Sequence, residues 1–225
     1  MVNAKKQIQK LIKECDLKEG DVFIDLGSHH GQEIEELIKI GVEVHSFEPH
    51  PNISKILREK YGDNPLVILN EAAAWPGPAG KKLLYFEKSV NDIEDGGSTM
   101  SIVKYFNTLE KVEWNLDLFH NHFEEFLTNE SRKAVKSGNA CEVNTIDVSE
   151  YIKNLNKPVS VLKIDVEGIE WNLLIHLYLA GVLKDIPAIY CEDHKNDIVE
   201  HTWSVQRKQA KKLLEENNIE IRKWF

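Results

Sequence analysis

The stretch Asp21-Val-Phe-Ile-Asp-Leu-Gly-Ser-His-His-Gly31 decides the fold. Val22 to Leu26 is a short apolar run bounded by Gly20 and Gly27, the pattern of a buried strand. Gly27 and Gly31 permit a tight turn, and Gln32 to Ile40 then reads as a helix closed by Gly41. A strand that turns through glycines straight into a helix is the opening of a βα unit.

The same rhythm extends outward in both directions. Upstream, Ile8, Leu11, Ile12 and Cys15 recur at helical spacing over 5–15. Downstream come a strand at Val42–Phe47, a helix at Ile53–Tyr61 after Pro49 and Pro51, and a strand at Leu66–Asn70. Lys81–Phe86 reads as an extra extended segment after the turn at Pro76–Gly80. Residues 88–138 break the rhythm with a polar, Gly-rich stretch, Asn91 to Ser101, and then an aromatic region holding Phe106, Trp114, Phe119, Phe123 and Phe126. This is read as an insertion over the sheet's edge or mouth, with Gly96–Ser101 as a lid or a plain surface excursion. The pattern resumes with Val143–Ile146 extended, a helix from Val148, a strand at Val159–Ile164 and a helix at Trp171–Leu179. A strand at Ala188–Cys191, a helix at Val205–Asn217 and a last strand at Ile219–Trp224 complete it. Such alternation predicts an α/β fold: one domain over 1–225, with a doubly wound, mostly parallel sheet and helices on both faces.

Composition narrows the function. Lys and Arg number 28 against 37 Asp and Glu, a net charge of −9. That balance opposes broad binding to nucleic acid or anionic membrane, which need a basic footprint. The three cysteines, Cys15, Cys141 and Cys191, have neither metal-ligand spacing nor a disulfide framework. No secretory signal or membrane span is visible, so the expectation is a cytoplasmic protein.

In open α/β sheets, ligands bind beyond the carboxyl ends of the strands. Three strand ends here carry unusual residues. Asp25-Leu-Gly-Ser-His-His-Gly31 lacks the middle glycine of a dinucleotide fingerprint and begins with a carboxylate, which repels phosphate. A carboxylate there suits a cationic ligand end, ammonium or sulfonium; the plainer reading is that Asp25 caps the helix. Glu48, in Phe47-Glu48-Pro49, ends the next strand at nearly the ~20-residue offset at which an acidic side chain accepts hydrogen bonds from ribose hydroxyls. Together they suggest an adenosine compound whose ribose hydroxyls are free. Third, Val161-Leu-Lys-Ile-Asp-Val-Glu-Gly168 sets Asp165 and Glu167 on one side if the chain stays extended, a pairing suited to general-base work. His194, in Cys191-Glu-Asp-His194, follows another strand and reaches the same end of the sheet. Asp165, Glu167, Asp193 and His194 could also ligate a divalent cation, but nothing in their spacing demands it and no metal is assigned.

Asp25-x-Gly27-x-x-x-Gly31, Phe47-Glu48-Pro49 and Leu162-Lys-Ile-Asp-Val-Glu-Gly-x-Glu170 resemble the signature of FkbM-type methyltransferases, within the class I, Rossmann-like S-adenosylmethionine-dependent fold. The resemblance covers roughly 20–195 and is most specific at Lys163–Glu170. It implies O-methylation of hydroxyls on sugars, polyketides or other small metabolites, with S-adenosylmethionine as cofactor and S-adenosylhomocysteine as product. It further implies that Asp25, Gly27, Ser28, His29, His30 and Gly31 surround the methionine portion, and that Glu48 and Pro49 meet the ribose. Asn70–Ala73, with Glu71 and Ala72, would border the adenine, and Asp165 would lie near the reacting centre. His29-His30 and a long aromatic stretch at Tyr105–Val135 depart from the usual pattern. Candidate bases for an alcohol acceptor are Glu167, Asp165 and His194. The expected partner is a small-molecule or glycan acceptor, with neither nucleic acid nor membrane. Two other readings stand beside this one: a non-catalytic adenosyl-ligand module, and a nicotinamide-dependent oxidoreductase that Asp25 and the missing glycine oppose.

Overall fold

The computed structural model describes residues 4–86, 89–91, 98–100, 131–194 and 201–224. Most of the expected insertion, including the aromatic set from Phe106 to Phe126 and the pair Gly96-Gly97, lies outside the described residues. In chain order the elements are α1 (Ala4–Glu14), β1 (Val22–Leu26), α2 (Ile34–Ile38), β2 (Glu43–Phe47), α3 (Pro51–Tyr61), β3 (Val67–Asn70), β4 (Ala73–Trp75) and β5 (Gly80–Tyr85). There follow β6 (Ala140–Asp147), α4 (Val148–Lys153), β7 (Val161–Ile164), α5 (Glu170–Leu179), β8 (Ala188–Cys191), α6 (His201–Glu216) and β9 (Ile221–Lys223).

Six strands form one parallel sheet in the order β3-β2-β1-β7-β8-β9. Strands β1, β7 and β8 are buried at every position, which explains why they read as continuous apolar runs rather than alternating ones. Successive side chains still leave on opposite faces. Ile24, Leu26, Leu162 and Ile164 pack beneath Trp171, Leu173, Leu174 and Leu177 of α5 and Leu214 of α6. Phe23, Val44 and Val161 pack on the other face against Ile8 and Leu11 of α1, Leu37 of α2 and Leu57 and Tyr61 of α3. The sheet is therefore doubly wound, as the alternation of elements predicts.

The extended segments expected near 81–86 and 143–146 pair antiparallel with each other as β5 and β6, and β4, a strand too short to read from sequence, adds in parallel on the other side of β6. Helix α3 begins at Pro51, two residues before its apolar periodicity. The His50 ring accepts the Asn52 and Ile53 N–H groups as the N-cap, and proline tolerates the first helical position. No helix among the described residues is long and apolar enough to cross a membrane.

From β1 the strand order runs outward both ways, to β2 and β3 and to β7, β8 and β9. The β1–β7 junction is thus the topological switch point, where a crevice opens beyond the strand ends.

Candidate active site

Gly27 ends β1 with φ +89°, and a Cβ at that position would lie 1.7 Å from the carbonyl oxygen of Asp165. Only glycine lets the tips of β1 and β7 approach so closely. The N–H groups of Gly27 and Ser28 donate to the Phe47 carbonyl at 3.0 and 3.1 Å, tying this turn to the end of β2 as well. Three strand tips are thereby fixed to one another by backbone contacts alone.

Glu48 continues that lacing. One carboxylate oxygen accepts the His29 N–H and the other accepts the His50 N–H, each at 2.8 Å. Burial pushes this carboxyl up to about 7, against the two N–H groups that favour its ionised form. His29 takes φ +45°, and burial with neighbouring His30 pushes its ring down to about 4, so it is neutral at physiological pH. Its ring packs edge-on against that of His30, the centroids 4.3 Å apart. Ser28 is buried, donating to the Asp25 carbonyl and accepting from Ser46. Gly31 lies under α3, where an added Cβ would meet Leu57 at 2.9 Å.

Asp25 is fully buried, and one of its carboxylate oxygens accepts from Lys163 Nζ at 2.9 Å. Lys163 also donates to the Gly27 carbonyl at 2.9 Å and lies 3.7 Å from an Asp165 oxygen. Burial opposes the ammonium charge, but Asp25, Glu33 and Asp165 outweigh it and hold the group above the usual lysine range. Lys163, rather than Asp25, faces the crevice. Sequence reading gave Lys163 no role, although a lysine inside the apolar run Val161-Leu-Lys-Ile was the available signal, since a buried charge requires a partner.

At the tips of β7 and β8 the chain does not stay extended: Glu167 takes φ +58° and Gly168 φ +120°. That turn brings Asp165 and Glu167 together by another route. Their carboxylates lie 4.0 and 3.1 Å from Nε2 of His194. Its Nδ1 is 2.8 Å from Glu170, which is fully buried at the start of α5 and also accepts the Gly168 N–H at 2.9 Å. Glu192 stands 3.8 Å from His194, and burial and then Asp165 push its carboxyl up to about 7. Ligand atoms of Asp165, Glu167 and His194 lie within 4.8 Å of one another. Asp193 is held elsewhere, by Arg207, by Lys211 at 3.3 Å and by Trp171 Nε1 at 3.3 Å. Despite burial, the two cations hold it down at about 2.

The crevice is open to solvent and has a cavity volume of about 310 Å³. Phe47, Ile53, Ala73, Ala74, Leu84 and Met100, with Val166, Ile169 and Trp224, contribute apolar lining. Glu33, Glu48, Asp165, Glu167 and Glu192 contribute carboxyl groups, with Lys163 the cation among the described lining residues. Glu33, whose carboxyl burial pushes up to about 7, and Glu192 were passed over in the sequence because a single Glu in a loop or helix start carries no pattern. Of the expected contacts, Gly27, Ser28, His29, Glu48, Pro49, Asp165 and Glu167 line the crevice. Glu71 instead makes a bidentate pair with Arg58 on the surface, and Ala72 is buried beside Ala73. His194 sits behind Glu167, 6% exposed.

A family model described as the methyltransferase FkbM domain matches residues 25–224, nearly the whole chain. A ribosomal RNA small subunit methyltransferase A from Thermotoga neapolitana is 36% identical over 61 residues, 27% of this chain and 24% of that protein. The match thus spans about a quarter of the relative's length.

Proposed function

The chain belongs to the FkbM methyltransferase family, and on that premise we propose that it transfers the methyl group of S-adenosylmethionine to a hydroxyl oxygen of a soluble small-molecule or glycan acceptor in the cytoplasm. What supports this reading is a crevice whose lining is divided between apolar side chains and carboxyl groups, Glu48 among them. An adenosyl sulfonium compound has the same division: a flat apolar base, a ribose with two hydroxyl donors and a cationic amino-acid end. Its fit is supported by the carboxylates of Asp165 and Glu167 in the lining, which suit a positive charge.

When bound, S-adenosylmethionine supplies an electrophilic methyl carbon. The protein's part is to orient and to hold protons. Glu48 keeps lone pairs beyond its two backbone N–H partners and can accept from ribose hydroxyls. Lys163 holds Asp165 and the Gly27 carbonyl in place. Glu167 is the base: as the acceptor oxygen gains its methyl group, the hydroxyl proton passes to the Glu167 carboxylate. Among the three candidate bases, Glu167 is favoured because it lines the crevice while His194 lies behind it, and because Asp165 is engaged by Lys163.

The test has two stages. Thermal unfolding should rise with S-adenosylhomocysteine and stay unchanged with NAD; the opposite pattern sinks the cofactor assignment. A screen of sugars, polyketides and phenols with labelled methyl donor then identifies the acceptor. Label found only on nitrogen would refute O-methylation.

A further inference from the structure

We infer that Glu33 receives the α-ammonium group of the cofactor's amino-acid end. This deepens the methyl-transfer reading and rests on it. The contact belongs to this chain's own sequence, since none of the motifs at Asp25–Gly31, Glu48 or Lys163–Glu170 includes position 33.

Glu33 carries a partly buried carboxyl group that lines the crevice and makes no hydrogen bond or ion pair through its side chain among the described residues. It is the N-cap residue of α2, yet its side chain caps nothing, so the common structural reason for an acid at a helix start does not apply. Glu35 and Glu36, on the same helix, both accept from Lys39. Burial pushes the Glu33 carboxyl up to about 7. The cation that acts on it is Lys163, whose Nζ is already taken by Asp25 and the Gly27 carbonyl, with Asp165 3.7 Å away. Asp25 from β1 and Asp165 from the tip of β7 also act on Glu33, so this part of the crevice is short of positive charge.

A carboxyl group enclosed without a donor lowers stability, and groups of that kind are retained at functional sites. What Glu33 lacks is a positively charged donor. S-adenosylmethionine has two cationic centres, and the sulfonium has no N–H or O–H to give. The ammonium has three N–H donors, and its bond to a carboxylate is of the strong, charge-assisted kind. Position also favours the amino-acid end: Glu33 follows by two residues the loop that the family resemblance places around the methionine portion. Near neutral pH the unliganded carboxyl is partly protonated, and pairing with the ammonium favours its ionised form, so a proton leaves as the ligand binds.

The experiment is calorimetry at pH ~8, where the Glu33 carboxylate prevails, on wild type and Glu33→Gln with three ligands. S-adenosylhomocysteine carries the ammonium without the sulfonium, S-adenosylmethionine carries both, and 5′-methylthioadenosine carries neither. The substitution should weaken the first two by a similar ~10–100-fold and leave the third unchanged. Unliganded Glu33→Gln should unfold at a midpoint no lower than wild type, because an unpartnered acid has been removed. A lowered midpoint, or equal losses for all three ligands, would give Glu33 a structural role and overturn the proposal. So would no loss at all, or a loss confined to S-adenosylmethionine, which would put the sulfonium at Glu33. A second measurement needs no variant: near pH ~7, S-adenosylhomocysteine should release more protons on binding than 5′-methylthioadenosine, since both engage Glu48 and only the former engages Glu33. Equal release counts against the assignment. Wild-type protein that binds none of the three refutes the methyl-transfer reading itself, whereas binding that is indifferent to Glu33 refutes this contact alone.

Discussion

Asp25 and Lys163 stand opposite each other in the β1–β7 register, their charged groups 2.9 Å apart and neither side chain more than 2% exposed. The pair joins the two strands at the switch point and sets the floor of the crevice. A buried pair contributes little net stability relative to apolar residues, but removing one partner strands the other charge. Asp25→Asn or Lys163→Met alone should therefore cost about 3–5 kcal/mol in denaturant unfolding. The double substitution Asp25→Leu with Lys163→Met should cost less than either. Additive losses would show that the two side chains do not depend on each other.

Gly27→Ala should be more damaging than any other single methyl group added to the loop. The new Cβ meets a backbone oxygen at 1.7 Å, and the position has φ +89°. Strain and clash together should exceed about 3 kcal/mol, read as a lowered unfolding midpoint. Gly20→Ala, at φ +88° with nothing within 4 Å, isolates the backbone strain and should lose far less.

Glu48 should make ligand binding depend on pH. Burial lifts its carboxyl to about 7, and ribose hydroxyls donate to the ionised form. Affinity for S-adenosylhomocysteine should tighten as pH rises through this value, with proton release seen in buffers of different ionisation enthalpy. Without ligand the sign reverses. A raised carboxyl keeps a proton that the unfolded chain has lost, so this group's contribution to stability falls between the ordinary value of 4.5 and about 7. His29, pushed down to about 4, acts oppositely, so the comparison must be with a variant. The stability of Glu48→Gln relative to wild type should improve from pH ~5 to ~8. A difference that is flat with pH would contradict this.

Glu167→Gln should keep S-adenosylhomocysteine affinity while lowering turnover by ~10²–10⁴-fold, the usual contribution of a general base. Asp165→Asn should weaken cofactor binding as well, because Asp165 is engaged by Lys163 beside the Gly27 turn. Equal effects of the two substitutions on both quantities would remove the distinction drawn between them.

Much of the fold was legible because local rules and tertiary demands coincide. The apolar runs at Val22–Leu26, Val161–Ile164 and Ala188–Cys191 are continuous because helices cover both faces of those strands. Strand β4 was missed because three residues carry no period, and its pairing depends on β6, some seventy positions away. In the site, the motifs around Gly27, Glu48 and Asp165 could be found because the turns that present them need glycine or a strand end. Glu33 and Glu192 could not, since an isolated acidic residue has no local signature, and Glu170, although part of the quoted motif, had no role assigned from it.

The sequence by itself determined which strand tips carry glycine and carboxylate, and so which end of the sheet holds the site. What those carboxylates face was decided only in three dimensions. Asp25 and Lys163 are separated by more than a hundred residues yet neutralise each other, because parallel pairing puts them in register. Glu167 and Glu170 close on His194 from two sides because the chain turns at Glu167 and Gly168 rather than running on extended. Charge–charge energies depend on distance and burial, and neither can be read from spacing along the chain.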